Sequence, residues 1–231
     1  WKYDEETKTL SLQISTKDDL YPIALDPTLS FTVPMQSNTG SVITGEAGSS
    51  FGDAVTSMSS GDLNADGKTD LIVAADVYNS STGRVYIFYN DGAYPTSATG
   101  ADVIIDGEAT SNNFGQAFAV GDFNADGRMD LAISAHVYKV LSVSTGRVYI
   151  FYNDGSIPTT AATADVIITG ETGSVFGGAL TAGDFNSDGR TDLAVGANNY
   201  ASNTGRAYIF YNDGSIPTTA ATADVIITGE A

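Results

Sequence analysis

The sequence of 231 residues contains no cysteine and a single histidine, His136. Without cysteine the chain forms no disulfide, thiolate zinc site or iron–sulfur cluster. One histidine also excludes a His-based catalytic triad and a zinc site with several histidine ligands. The chain therefore lacks the residue types of the commonest nucleophilic and transition-metal sites.

Basic residues are also few. Lys and Arg number 10 against 28 Asp and Glu, which gives a net charge of -18. Such a polyanion is repelled by nucleic acid and by anionic membranes, and it suits soluble partners or bound cations. No apolar run approaches the ~20 residues of a membrane span, so we expect none. Because the chain begins at Trp1 rather than Met, we interpret it as a mature piece or an excised segment of a longer protein.

A nine-residue motif occurs three times, beginning at Asp62, Asp122 and Asp184. A Phe-Gly pair precedes each copy, and Gly-Arg and Gly-Glu pairs follow it. Residues 146–171 and 205–230 differ at one position only. Self-similarity at a fixed interval indicates a repeated structural unit. We place the units at approximately 47–108, 109–171 and 172–231.

Each unit is predicted to contain four β-strands. Examples are residues 114–120 after Phe-Gly, 192–197 after the motif, 147–152 after Gly-Arg, and 165–169. The third and fourth strands are rich in β-branched and aromatic residues and are apolar on both faces, as in sheets packed between two neighbours. No segment shows helical periodicity. The sequence therefore predicts an all-β fold with three full propeller blades of four antiparallel strands.

The repeated motif, Asp-x-Asn-x-Asp-Gly-x-x-Asp, predicts a calcium loop. Calcium prefers six to eight oxygen ligands, and alternate residues of a tight loop can direct several oxygens to one point. Without a cation, the carboxylates of such a loop would repel one another. The predicted ligands of three Ca²⁺ sites are Asp62, Asn64, Asp66, the Lys68 carbonyl and Asp70; Asp122, Asn124, Asp126, the Arg128 carbonyl and Asp130; and Asp184, Asn186, Asp188, the Arg190 carbonyl and Asp192.

Two other loop types share part of this pattern. An EF-hand is excluded, because its twelfth position holds Val73, Ile133 and Val195 instead of Glu, and because strands flank the loop. Asx-rich β-turns without a metal are the remaining alternative. Magnesium fits an all-protein cage less well than calcium does.

The motif, with its Phe-Gly pair, Leu-Ala-Val-Gly-Ala at 193–197 and Gly-Arg-Val-Tyr at 146–149, closely resembles FG-GAP repeats. These repeats form the β-propeller of integrin α subunits and occur in many bacterial extracellular proteins. The resemblance covers roughly residues 40–231. It implies an extracellular, secreted or cell-surface module of the bacterial type. It also implies a protein or glycan ligand on the face opposite the calcium loops, at loops 76–82, 136–145 and 198–204.

The resemblance further predicts an incomplete arc, because integrin-like propellers have about seven blades. Beyond its three units the chain has one closing strand at 41–44, so we expect the remaining blades of the same propeller as partners. We also expect an exposed apolar sheet face at each end of the arc. Residues 1–30 are interpreted as the tail of an upstream β domain, with a strand–turn–strand pattern followed by a strand at 21–27, and 31–40 as a linker.

Loop 136–145 of the second unit is three residues longer than its counterparts and carries an apolar, cationic run. We expect it to bind a ligand through His136, Tyr138, Lys139 and Leu141; a local packing flap is the alternative. We expect Arg84, Arg147 and Arg206, which follow Gly at equal register, to pair with a carboxylate or a carbonyl; ligand binding is the alternative.

The sequence thus predicts a calcium-binding module for adhesion or protein recognition. A carbohydrate-binding, lectin-like propeller and a non-catalytic accessory arc of a secreted enzyme are the alternatives. We expect no catalytic role, because the nine repeated Asp residues are all assigned to metal. We expect no nucleic-acid partner and no membrane span.

Overall fold

The computed structural model describes residues 2–4, 9–11, 42–53 and 58–230. The chain divides into two compact units, Trp1–Ser41 and Val42–Ala231. In the first unit, strand β1 (Lys2–Asp4) pairs antiparallel with strand β2 (Thr9–Ser11), on either side of the predicted turn. The predicted strand at 21–27 and the predicted linker at 31–40 lie outside the described residues.

The second compact unit, Val42–Ala231, contains three sheets of four antiparallel strands, which confirms the predicted blades. Within each sheet the strands lie in chain order. The first blade consists of β3 (Met58–Gly61), β4 (Asp70–Ala75), β5 (Arg84–Phe88) and β6 (Val103–Asp106). The second consists of β7 (Phe114–Gly121), β8 (Asp130–Ala135), β11 (Arg147–Phe151) and β12 (Val166–Thr169), with a hairpin of β9 (Lys139–Val140) and β10 (Val143–Ser144) inserted before β11. The third consists of β13 (Phe176–Gly183), β14 (Asp192–Ala197), β15 (Arg206–Phe210) and β16 (Val225–Thr228).

Helical structure in the described residues is limited to single turns. These are α1 (Tyr78–Ser81), α2 (Tyr200–Asn203) and three 3₁₀ turns at Ala98–Gly100, Ala161–Thr163 and Ala220–Thr222. Both α turns contain left-handed residues, such as Asn79 at φ 48° and Ala201 at φ 48°. Within this described part, no helix is long and apolar enough to cross a membrane.

The third strands show why the sheets are apolar on both faces. Successive side chains of a strand point to opposite faces. In β11, Val148 and Ile150 pack in the core shared with the third blade, whereas Tyr149 and Phe151 pack in the core shared with the first. All four side chains are fully buried. Each burial of this size stabilises the fold by about 1.5–3 kcal/mol, so the interfaces between blades are the hydrophobic cores.

The Phe-Gly pairs of the second and third blades lie at these interfaces. Phe114 packs edge-on against Tyr149, with ring centroids 5.5 Å apart. The pairing register of β7 with β8 then shifts between Phe114 and Phe118, as in a β-bulge. Gly115 adopts φ +99° in this stretch, and a Cβ there would lie 2.7 Å from the Cβ of Ala74 in the first blade. Glycine is therefore required both by the backbone conformation and by the close approach of the blades.

The blades present two sets of loops at opposite ends. In an antiparallel sheet, loops that join the first and second strands leave the end opposite to loops that join the second and third. The first strands of adjacent blades contact each other: a Cβ on Gly61 would lie 2.6 Å from Val120, and one on Gly121 would lie 3.2 Å from Ala182. The three motif loops thus share one end of the blades, and loops 76–82, 136–145 and 198–204 share the other.

The two ends of the arc differ, contrary to the sequence-based expectation. On the outer face of the first blade, Tyr86 and Phe88 are fully buried, so the prediction of an exposed face there is wrong. Phe51, Ile43 and other apolar residues of the chain pack against that face. On the outer face of the third blade, Ile227 is 56% exposed, as predicted.

Candidate functional site

Each motif loop joins the first and second strands of its blade and is held by hydrogen bonds from its own backbone. In the first loop, Oδ1 of Asp62 accepts from the N–H of Asp66 at 3.1 Å, and Oδ2 accepts from Gly67 at 2.9 Å. Oδ1 of Asn64 accepts from Asp66 at 3.0 Å, and Oδ1 of Asp66 accepts from Lys68 at 2.9 Å. The second and third loops repeat all four bonds within about 0.1 Å.

The last Asp of each motif is buried at the start of the second strand. Oδ2 of Asp70 accepts from the N–H of Leu63 at 2.8 Å, which closes the loop. Oδ1 accepts from the N–H of Asn90, at the end of the third strand, at 2.9 Å. Asp130 and Asp192 make the equivalent bonds. These carboxylates therefore connect the motif loop to the rest of the blade.

The carboxylates of the second loop repel one another. Burial is the largest cause that raises the pKa of Asp130 to about 6, and the negative charges of Asp126 and Asp122 raise it further. The N–H donors of Asn153 and Phe123 lower it. In the first loop, the backbone N–H of Lys68 lowers the pKa of Asp66. Negative charge is thus concentrated at this end of the blades.

Sequence analysis predicted that four side chains and one carbonyl of each motif surround a cation. The structure brings these residues into one loop, but the oxygens of the first three side chains accept backbone N–H groups. Among the described residues, no group of three or more His, Asp or Glu side chains is arranged to hold a metal ion. The donor set nonetheless fits calcium chemically, since every predicted ligand atom is a hard oxygen, and a carboxylate oxygen with one hydrogen bond keeps a further lone pair.

Loop 136–145, at the opposite end, contains the hairpin β9–β10. Leu141 and Ser142 form its two-residue turn with φ values of 49° and 67°. Such left-handed turns favour Asn and Gly, and a leucine there is strained. The Leu141 side chain is 94% exposed. The hairpin therefore displays an apolar side chain at its tip at an energetic cost.

The four predicted ligand-binding residues divide into two pairs. Lys139 and Leu141 are exposed on the hairpin. Tyr138 is half-buried, and the guanidinium of Arg147 lies 3.8 Å from its ring centroid. His136 is also half-buried, and its Nδ1 atom has no hydrogen-bond partner. Burial lowers the pKa of His136, and the charge of Asp76 opposes this shift.

Family comparisons agree with the repeat pattern. An FG-GAP-like repeat model matches residues 62–133, and an FG-GAP repeat model matches residues 176–210. The chain contains FG-GAP repeats. The two matched segments contain all three motif loops.

FG-GAP relatives include two kinds of protein. Phosphatidylinositol-glycan-specific phospholipase D of Bos taurus is 36% identical over 150 residues, which are 61% of this chain and 18% of that protein. Integrin alpha-7 of Homo sapiens is 32% identical over 151 residues, which are 64% of this chain and 12% of that protein. Integrin alpha-IIb of Mus musculus is 32% identical over 146 residues. The chain thus spans less than a fifth of the relatives it matches.

One set of contacts between FG-GAP blades was missed by sequence reasoning. Glu108, of the Gly-Glu pair that ends the first blade, accepts hydrogen bonds from Arg147 and from the Tyr149 hydroxyl in the second, both at 2.8 Å. Burial and this carboxylate raise the pKa of Tyr149, so the hydroxyl stays protonated. Sequence analysis predicted that this Arg pairs with a carboxylate or a carbonyl; the structure shows a carboxylate, and which residue carries it was not predicted. We call this arrangement, in which one Glu accepts hydrogen bonds from an Arg and a Tyr of the blade that follows, the glutamate clamp. The same clamp joins Glu46 to Arg84 and Tyr86, and Glu171 to Arg206 and Tyr208.

Proposed function

We propose that this chain is a calcium-binding, extracellular propeller module for adhesion or protein recognition. The observation that carries the proposal is the occurrence of the same oxygen-rich loop, in the same position, in three successive blades. The likeness to integrin α chains supports a recognition role. The net charge of -18 supports bound cations and soluble partners.

Calcium would be held by the four side chains and one carbonyl of each motif that the sequence analysis names. Bound calcium supplies positive charge that offsets the repulsion among these carboxylates. At millimolar calcium and a Kd of ~10⁻⁴ M, each site would stabilise the fold by about 1.4 kcal/mol. Three sites would contribute roughly 4 kcal/mol of a typical stability of about 5–15 kcal/mol.

Titration calorimetry and thermal unfolding test the calcium proposal. After removal of metal with EDTA and dialysis, we expect three binding sites for Ca²⁺ and a Tm that rises by several degrees on its addition. Asp184→Asn, in the third motif, should reduce the stoichiometry from three to two. Asp213→Asn changes an exposed Asp outside the motifs and should leave three sites. The absence of both binding heat and any EDTA effect on Tm would contradict the proposal.

The recognition element we propose is loop 136–145. Its hairpin displays Leu141 with Val140 and Val143, both partly exposed, next to the cation of Lys139. Exposed apolar side chains often mark protein contacts. The ligand in this proposal is a protein. Tyr138 lies at the base of the hairpin, where its carbonyl accepts hydrogen bonds from the N–H groups of Thr145 and Gly146.

A glycan array separates protein recognition from the lectin-like alternative. The labelled chain is applied in calcium-containing buffer, beside a variant in which loop 198–204 replaces loop 136–145. We expect no glycan signal from either chain and an unchanged Tm for the variant. A signal for one glycan class that the graft removes would favour the lectin. A graft that fails to fold would show instead that the loop is a packing flap.

A second candidate function is a non-catalytic accessory arc within a secreted enzyme. The observation that favours it is the 36% identity to a phospholipase D over 150 residues. The match spans only 18% of that protein, so it does not assign the enzymatic activity to these blades. Assay of the chain for phospholipase D activity tests this point, and we expect none above background.

A further inference from the structure

Three Asn-Asp-Gly turns, which follow the third strands, place one asparagine of each blade beside the motif loops. These asparagines are Asn90, Asn153 and Asn212. The backbone N–H of each one donates to the last Asp of the motif in its own blade, at 2.8 or 2.9 Å. The three turns are therefore attached to their motifs in the same way, and they differ in what the asparagine side chains contact.

In the second blade, the asparagine side chain reaches the motif loop of the first blade. Nδ2 of Asn153 donates to the carbonyl oxygen of Leu63 at 2.6 Å, and to that of Met129, in its own blade, at 3.3 Å. Both partners are acceptors, so these contacts fix the orientation of the amide. Asn153 is buried. Loss of its N–H groups would therefore leave a carbonyl without a partner away from solvent.

This side chain completes a series of hydrogen bonds between the last Asp residues of two motifs. Oδ2 of Asp70 accepts from the N–H of Leu63, whose carbonyl accepts from Asn153. The N–H of Asn153 in turn donates to Oδ1 of Asp130. The three bonds are 2.6–2.8 Å long, and all of them are buried. The first and second motif loops are thus connected through the protein interior.

A longer contact of the same kind joins the third blade to the second motif loop. Nδ2 of Asn212 lies 3.5 Å from the carbonyl oxygen of Asp122. Arg190, at the seventh position of the third motif, donates to the Asn212 carbonyl at 3.1 Å. Arg128 makes the corresponding contact in the second blade at 3.5 Å. Each of these two asparagines is therefore held by its own motif and contacts the motif loop of the blade before it.

The first blade differs, because no copy of the motif precedes it within residues 1–61. The side chain of Asn90 forms no hydrogen bond with another described residue. Lys68 replaces arginine at the seventh motif position, and its Nζ atom binds Asp66 of the same loop at 3.3 Å. The asparagine contact and the supporting arginine thus occur together, in the two blades that follow another motif.

We propose that Asn153 and Asn212 are positioning residues that couple each motif loop to the loop of the preceding blade. Order in one loop is transmitted to its neighbour, because hydrogen bonds of the same asparagine hold both. Binding that orders one loop then reduces the entropy cost of binding at the next. With calcium as the ligand, which rests on the proposed function, adjacent loops bind with positive cooperativity, and the dependence is reciprocal. The stronger coupling joins the first and second loops, where the contact is shorter.

Amide hydrogen exchange in EDTA tests the coupling without a metal. In Asn153→Ala, we expect the Leu63 amide of the first blade to exchange at least about tenfold faster, whereas the amides of strand β5 keep their rates. Asn90→Ala is the matched control: it changes the same turn position where the side chain is unbonded, and it should leave the Leu63 rate unchanged. In Asn212→Ala, we expect a smaller acceleration at Phe123, the equivalent residue of the second motif.

Two exchange results would overturn the proposal. One is an unchanged rate at Leu63 in folded Asn153→Ala. The other is an equal acceleration throughout the first blade, because only global stability would then have fallen. If Asn153→Ala does not fold, the exchange rate at Phe123 in Asn212→Ala decides by the same two criteria.

Calcium titration followed by NMR tests the cooperativity. The amide of Gly127 reports on the second loop, and Asp62→Asn impairs the first. We expect Asp62→Asn to raise the Kd at Gly127 at least about fivefold in the native chain and in Asn90→Ala, but less than about twofold in Asn153→Ala. An equal rise in all three backgrounds, or no rise in the native chain, would overturn the coupling. The absence of any calcium-induced shift would contradict the calcium proposal, and the exchange rates in EDTA would still decide the coupling.

Discussion

Glu171, which follows the last strand of the second blade, accepts a 2.8 Å hydrogen bond from Nη1 of Arg206 in the third blade. The same carboxylate accepts the hydroxyl of Tyr208, and the Arg206 guanidinium lies 3.6 Å from the ring centroid of Tyr200. A carboxylate thus joins two blades through one charged and one neutral donor. The clamp repeats at all three Gly-Glu corners that precede a blade, so it is a general feature of how these blades are joined.

Loss of charge at this clamp should destabilise the fold. For Glu171→Gln we expect a decrease of about 1–3 kcal/mol in the free energy of unfolding, because hydrogen bonds to a charged group are lost and Arg206 remains partly buried. Urea denaturation measures the effect. Glu230→Gln, at the equivalent corner without a following blade, is the matched control and should change stability by less than about 0.5 kcal/mol. Equal changes in the free energy of unfolding for the two variants would show that the clamp does not stabilise the fold.

The stability losses of two glycine variants should show how closely the blades approach each other. Gly146 and Gly205 have nearly the same left-handed conformation, at φ +76° and +79°. Gly205→Ala should cost about 1–2 kcal/mol from the backbone conformation alone. Gly146→Ala should cost at least about 1–3 kcal/mol more, because its Cβ would collide with the backbone of Phe176. Thermal unfolding measures the loss of stability in both variants. Similar losses would show that the interface at Gly146 is loosely packed.

The hairpin tip should become more stable when its leucine is replaced. Leu141 has φ 49° and is almost fully exposed, so the side chain contributes strain and little packing. For Leu141→Asn we expect a gain of roughly 0.5–1 kcal/mol, since Asn tolerates the left-handed region. Chemical denaturation measures the gain. A loss of stability would indicate that Leu141 packs against the protein, as in the flap interpretation.

Acidification should destabilise the second blade through His136. Burial lowers the pKa of His136 in the folded state, so the neutral imidazole is the form that the fold favours. The corresponding stability is present above the unfolded pKa of about 6.5 and is lost as the pH falls below it. The urea midpoint of the native chain should therefore fall more between pH 7.5 and 5.5 than that of His136→Gln. Parallel pH profiles would show that His136 stays neutral or exposed over this range.

Most of the fold could be predicted from the sequence. The repeat interval, the alternation of apolar residues in strands such as Arg147–Phe151, and the turn residues between strands follow from local backbone and side-chain geometry. These features predicted four strands in each blade and burial of both faces of the third strand. The motif loops were located in the same way, because their residue types and spacing are local. Their binding of calcium remains a proposal.

Only the tertiary structure decided how the blades meet. Glu108 and Arg147 lie 39 residues apart, and nothing in the local pattern states that the glutamate pairs across the interface instead of within its own blade. The same is true of the cover that Phe51 and Ile43 provide on the first blade and of the exposed Ile227 on the third. Side chains such as Ile105 and Ile227 are chemically identical in the sequence. Their burial differs because it depends on whether another blade lies against them, which is a property of the assembled sheets and not of the strand that carries them.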